Sequence, residues 1–183
     1  MRVIAGTAKK RRLKSPGNLP VRPTADRVKE SLFNIISPQI PGCAFADLFA
    51  GTGGVGIEAL SRGAAKVIFV EKDSRAAGLV KQNIDLTGLR DGAEIMLDDF
   101  EQALRRVSQR SEKFDIIFAD PPYRQGLAAM VLNTLARYPV WQLNTIVILE
   151  TDAKEILPED TGVFKLWRRE KYGDTALSFY RPV

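Results

Sequence analysis

The chain has 183 residues, of which 45% are hydrophobic and 27% charged, enough to bury a core the size of one ordinary globular domain. No run approaches the eighteen or so apolar residues a membrane helix needs, the basic N-terminus has no apolar stretch behind it, and the cytoplasm is the expected compartment. With one cysteine, Cys43, and no histidine, neither an internal disulfide nor a Cys/His metal cluster is expected, and no metal is assigned.

The net charge of +5 is concentrated at one end: Lys9, Lys10, Arg11, Arg12, Lys14, Arg22, Arg27 and Lys29 are opposed only by Asp26 and Glu30 within the first thirty residues. Clustered cations gain affinity for a polyanion by displacing its counterions, so this run reads as a nucleic-acid contact, although a solvated surface would have the same composition.

In chain order, residues 3–5 and 12–13 can pair as a small hairpin around Lys9 and Lys10, followed by a Pro/Gly-spaced stretch from Ser15 to Pro23. Thr24 is a plausible N-cap for a helix whose apolar stripe is Val28, Leu32, Phe33, Ile35 and Ile36, stopped by Pro38. Residues 1–40 thus form an N-terminal extension and 41–183 the main domain. Strands are expected near 44–49, 67–71, 94–97, 114–120 and 145–150, with helices between them. Runs without polar alternation, such as Asp115-Ile-Ile-Phe-Ala119, interleaved with helices imply βαβ units and a parallel sheet covered on both faces. Residues 163–171 and 176–181, joined at Tyr172-Gly-Asp-Thr175, read as an antiparallel hairpin closing one side, giving an α/β, mostly parallel seven-stranded sheet.

Asp47-Leu-Phe-Ala-Gly-Thr-Gly-Gly-Val-Gly56 follows the first strand and opens a helix, and Gly51, Gly53 and Gly56 match G-x-G-x-x-G. Such glycines admit a sharp turn and a close ligand, and they also serve helix packing. Glu71, twenty residues after Gly51 at the end of the second strand, can accept hydrogen bonds from both hydroxyls of a ribose. A nicotinamide dinucleotide and a dehydrogenase would fit the same features. The run Asp47-Leu-Phe49-Ala50-Gly51-Thr52-Gly53 resembles the first motif of class I methyltransferases, in which the loop wraps the methionine part of S-adenosylmethionine. Of Asp98 and Asp99, where that fold contacts adenine, Asp99 is the candidate, with helix capping as its alternative role.

Phe114-Asp-Ile-Ile-Phe-Ala-Asp-Pro-Pro-Tyr-Arg124 carries the most chemical information. Two prolines stiffen the loop and remove two donors, so Asp120 and the Pro121 carbonyl can present acceptors to an amine. An exocyclic base amine is a poor nucleophile because the ring shares its lone pair, and acceptors holding its hydrogens turn that pair outward. Tyr123 beyond Pro122 would stack on an extruded base, a contact worth about 1–3 kcal/mol. A strand-ending turn with a packed tyrosine is the plainer reading of the same residues.

Four segments resemble the bacterial 16S rRNA (guanine-N2-)-methyltransferases of the RsmD type: Arg2-Val-Ile-Ala-Gly6, the Arg22-Pro-Thr-Ala-Asp-Arg-Val-Lys-Glu-Ser-Leu-Phe-Asn34 helix entry, the glycine loop with Gly56-Ile-Glu-Ala-Leu-Ser-Arg-Gly-Ala64, and Asp120-Pro-Pro-Tyr123. Tyr172-Gly-Asp-Thr175 matches as well. The glycine loop and Asp-Pro-Pro-Tyr are shared with amino-methylating enzymes that include adenine methyltransferases acting on DNA, so an adenine in DNA or another RNA is the alternative target. The resemblance implies S-adenosylmethionine as cofactor, with S-adenosylhomocysteine as its product, and a guanine of 16S rRNA, in the small ribosomal subunit or an assembly intermediate, as target. It further implies a monomer, an extension that grips RNA, and Arg22, Thr24 and Arg27 beside the mouth of the site. A catalytically silent RNA-binding module is the remaining reading, carried by the basic N-terminus alone.

Overall fold

A computed structural model describes residues 1–15, 26–122 and 126–183. Arg22, Thr24, Tyr123 and almost all of the Pro/Gly-spaced stretch lie outside the described residues. Helix α1 (Asp26–Ile36) is followed by a short turn at Ser37–Gln39 and then by β1 (Ala44–Asp47), α2 (Gly54–Ser61), β2 (Lys66–Glu71), α3 (Ser74–Thr87) and β3 (Ala93–Leu97). The second half runs α4 (Phe100–Gln109), β4 (Phe114–Ala119), α5 (Leu127–Arg137), β5 (Trp141–Asp152), β6 (Phe164–Tyr172) and β7 (Thr175–Pro182).

The seven strands lie in the order β3-β2-β1-β4-β5-β7-β6, with the first five parallel and β7 antiparallel to both neighbours. The order reverses between β1 and β4, the switch point at whose carboxyl edge ligands bind in open α/β sheets. Alternate strand residues feed two cores. Phe45, Phe69, Phe118 and Ile148 pack with Leu32, Phe33, Ile57 and Val80 of α1, α2 and α3, while Ala46, Ile68, Ile117 and Leu149 pack with Leu104, Val107, Val131 and Leu135 of α4 and α5. Burial on both faces is why the central strands carry no polar alternation.

Local chemistry explains the element ends. The Asp73 side chain caps α3 by accepting from Arg75 N and Ala76 N, and Gly88, with φ +73°, ends it. Strand β5 begins at Trp141, earlier than the expected 145, because Trp141 pairs with Phe114 before the register shifts to Ile116 opposite Ile146. Thr145 bridges that irregularity, donating to Phe114 O at 2.6 Å and accepting from Gln142 N at 2.9 Å.

The N-terminal segment pairs with itself in a register earlier than the expected 3–5 with 12–13, through an Arg2–Arg12 bridge and the Val3 N to Arg11 O bond of 3.0 Å, while Ile4 N and Ala5 N are taken by Glu58. Gly6 turns at φ +82° and faces α2 so closely that a Cβ there would lie 1.7 Å from Ser61 O. The segment is bolted to α2 by Glu58, which is 0% exposed. Its carboxylate accepts from Ile4 N at 2.8 Å, Ala5 N at 2.9 Å and Arg62 Nε at 2.8 Å, and it lies 3.3 Å from Lys29 Nζ. Lys29, expected to add to the basic surface, is instead only 1% exposed, donating to Arg2 O at 2.8 Å. Burial pulls its pKa down, and the neighbouring Glu58 works against that shift.

Candidate functional site

The glycine loop leaves the carboxyl end of β1 and enters α2 through Gly53, the helix N-cap, at φ +78°, with Gly51 at φ +56°. Both lie in the left-handed region, where a Cβ is strained. At Gly56 the constraint is packing, since a Cβ would sit 2.3 Å from the Phe69 ring. The loop is held from three sides. Ala50 N donates to Val70 O at 2.9 Å, Gly51 N to Glu71 Oε2 at 2.8 Å, and Gly56 N to Asp47 Oδ2 at 3.0 Å.

Glu71 ends β2, half-buried, and its second oxygen accepts from Asp73 N at 2.9 Å. Each carboxylate oxygen has two lone pairs, so two backbone donors fix this group and leave one acceptor position per oxygen for a vicinal diol. Phe49 packs its ring against Phe100 with centroids 5.2 Å apart, beside the exposed Asp99. Asp99 caps α4, accepting from Glu101 N and Gln102 N through the single oxygen Oδ1. Thr52 is 3% exposed, and its carbonyl accepts from Asn83 Nδ2 at 2.9 Å. The left-handed glycines, the diol-shaped acceptor pair and the aromatic wall fit an adenosyl cofactor.

Asp47, 1% exposed, is the scaffold carboxyl of this loop. Burial raises its pKa from 3.8 to about 7, opposed by the Gly56 N–H and reinforced by Glu71 and Glu150. Between about pH 4 and 7 the folded protein therefore holds a proton that the unfolded chain has released. Stability attributable to this group is complete below that window and is lost as pH rises through it, by an amount on the order of a few kcal/mol. Asp47→Asn keeps an acceptor for Gly56 N and is expected to flatten the fall. Urea unfolding at pH 5 and pH 7 checks it, and equal pH slopes in variant and wild type would refute the assignment.

Asp120 follows β4 directly and is half-buried, with Pro121 buried and Pro122 exposed behind it. Asp47 pairs with Phe118 and Ala119 with Leu149, so Asp120 stands two residues beyond the level of Asp47 and level with Glu150. Glu150, 3% exposed, went unassigned from sequence; its place at the site comes only from strand register. The strand order places Asp47, Phe49, Ala50, Gly51, Thr52, Gly53, Glu71, Asp99, Asp120, Pro121 and Pro122 at the carboxyl ends of β1–β4. Lys9, Lys10, Arg11 and Arg12 are exposed on the turn of the N-terminal segment, and Arg27 is exposed in the first turn of α1.

The strand order, the glycine loop after β1 and the acid closing β2 define a class I methyltransferase fold. The family model described as Conserved hypothetical protein 95 matches residues 1–181, and the chain belongs to this family, that of the ribosomal RNA small subunit methyltransferase D proteins. Bacillus subtilis YlbH is 40% identical over 181 residues, spanning 99% of this chain and 98% of its own length. The Haemophilus influenzae ribosomal RNA small subunit methyltransferase D is 35% identical over 167 residues, 90% of this chain and 86% of that one. The solved Escherichia coli protein yhhF superposes with a TM-score of 0.85 at 31% identity, covering 100% of this chain and 97% of the other.

Proposed function

We propose that this chain methylates the exocyclic 2-amino group of a guanine in 16S rRNA, within the small ribosomal subunit or an assembly intermediate, using S-adenosylmethionine. It acts as a monomer in the cytoplasm, with residues 1–40 as RNA-binding extension and residues 41–183 as methyltransferase domain. The observation that carries the reading is the position of Asp120, at the strand-order reversal beside the glycine loop and Glu71.

When bound, the cofactor supplies a methyl group made electrophilic by its sulfonium. The chain's residues supply position. Asp120 and the Pro121 carbonyl accept the two amine hydrogens, which fixes the nitrogen and turns its lone pair toward the glycine loop. Tyr123 stacks on the extruded base and offsets part of its unstacking. Glu71 holds the ribose hydroxyls, Asp99 and Phe49 flank the adenine, and the Asp47-braced loop of Ala50, Gly51, Thr52 and Gly53 receives the methionine end. Lys9, Lys10, Arg11, Arg12, Arg22, Thr24 and Arg27 contact the RNA, the lysines and arginines through its phosphates.

Purified protein given labelled S-adenosylmethionine and small subunits lacking the modification is expected to produce N2-methylguanosine, identified by mass spectrometry of the digested RNA. A methylated adenine would overturn the guanine assignment. Binding of subunits without methyl transfer would favour the silent RNA-binding reading.

A further inference from the structure

Asn83 lies within α3 and is 0% exposed. Its Oδ1 accepts from Lys14 N at 2.7 Å, and its Nδ2 donates to Lys14 O at 3.3 Å and to Thr52 O at 2.9 Å. A primary amide offers an acceptor and two donors on one planar group, and here each has a backbone partner. One side chain thereby ties the backbone of the basic N-terminal segment to the backbone of the glycine loop.

The tie is doubled nearby. Leu13 N donates to Met1 O at 3.2 Å, which holds the two ends of the segment together. The Met1 thioether lies 3.5 Å from Thr52 Oγ1, and it stands where a Cβ on Gly54 would come within 2.8 Å. Both ends of the segment thus rest on the loop, while its turn carries the exposed Lys9–Arg12 run outward. Anything that orders this turn also orders Lys14, and through Asn83 it steadies Thr52.

Resting on the function proposed above, we infer that Asn83 is a positioning residue coupling RNA on the basic segment to cofactor on the glycine loop, so that each ligand tightens binding of the other. Reciprocity is a thermodynamic requirement: whatever factor the RNA applies to cofactor affinity, the cofactor applies to RNA. A segment already ordered by one ligand need not be ordered again for the second.

The test measures S-adenosylhomocysteine affinity by calorimetry with and without unmodified small subunits. Wild type is expected to bind it about five-fold or more tightly in their presence, at the low end of typical couplings. Asn83→Asp keeps the acceptor for Lys14 N but sets carboxylate oxygens against Lys14 O and Thr52 O. In this variant the ratio is expected to fall to about one, with cofactor KM raised about ten-fold and kcat within about two-fold of wild type. A wild-type ratio of one, or an unchanged ratio in the variant, overturns the coupling. If Asn83→Asp does not fold, amide hydrogen exchange on wild type decides: S-adenosylhomocysteine alone should slow exchange at Lys14 N–H, and unaltered exchange there refutes the inference. This arm uses no RNA, so its failure is distinct from a failure to methylate the subunit.

Discussion

Asp120→Ala is expected to lower kcat for methyl transfer by roughly 10²–10⁴-fold, the range seen when one positioned polar group at a reacting centre is removed. The residue stands at the end of a strand buried on both faces, and the two prolines behind it restrict the backbone, so its main chain is held by the fold. Alanine leaves the amine with the Pro121 carbonyl as its only proposed acceptor, free to rotate its lone pair back into the ring. Because Glu71 and the glycine loop are untouched, S-adenosylhomocysteine affinity should stay within a few-fold of wild type. Single-turnover transfer with saturating subunits, beside calorimetry of the product cofactor, separates the two quantities. Near-normal turnover would remove Asp120 from the chemistry.

The largest effect on stability is expected at Glu58. Glu58→Ala strands a buried Lys29 and deprives Ile4 N and Ala5 N of their acceptor. Removing one partner of a buried ion pair costs about 3–5 kcal/mol. For a chain of this size that lowers Tm by roughly 6–20 °C. Adding Lys29→Met removes the orphaned charge but not the orphaned amides, so the double variant should recover part of the loss and no more. Thermal unfolding followed by circular dichroism checks both steps. A single variant within about 1 kcal/mol of wild type would show that the segment is not anchored here.

What could be read from the sequence was whatever local pattern encodes. The β4 strand announces itself by the apolar run Ile116–Ala119, and the turn Tyr172-Gly-Asp-Thr175 sits between two strands as expected. The start of β5 was not legible, because Gln142, Leu143 and Asn144 are exposed at an irregular register where side-chain alternation gives no signal. Lys29 reads as one more cation in a basic run until Glu58, twenty-nine residues on, takes it into the core. Glu58 and Asn83 were missed for a general reason. Their partners are mostly backbone groups 53 to 69 residues away, which leave no trace in residue type at either end. The one available hint was an acid within the otherwise apolar Gly54–Ser61 helix, all of which is buried. Asp99 shows the opposite case, since a cap and a ligand contact call for the same residue at the same place.

The reversal of strand order has a consequence for how the chain comes into being. Met1 to Asp99 contains the basic segment, the glycine loop, Glu71, Asn83 and Asp99, so the part proposed to seat the cofactor is specified before Asp120 is reached. During synthesis from the N-terminus, the β1 edge that will receive β4 stays open over that interval, an apolar strand without its second partner. The arrival of Phe114–Ala119 closes this edge and delivers Asp120 to its place in one event. Closure of the β1 edge and placement of the acid proposed to act on the amine are therefore coupled.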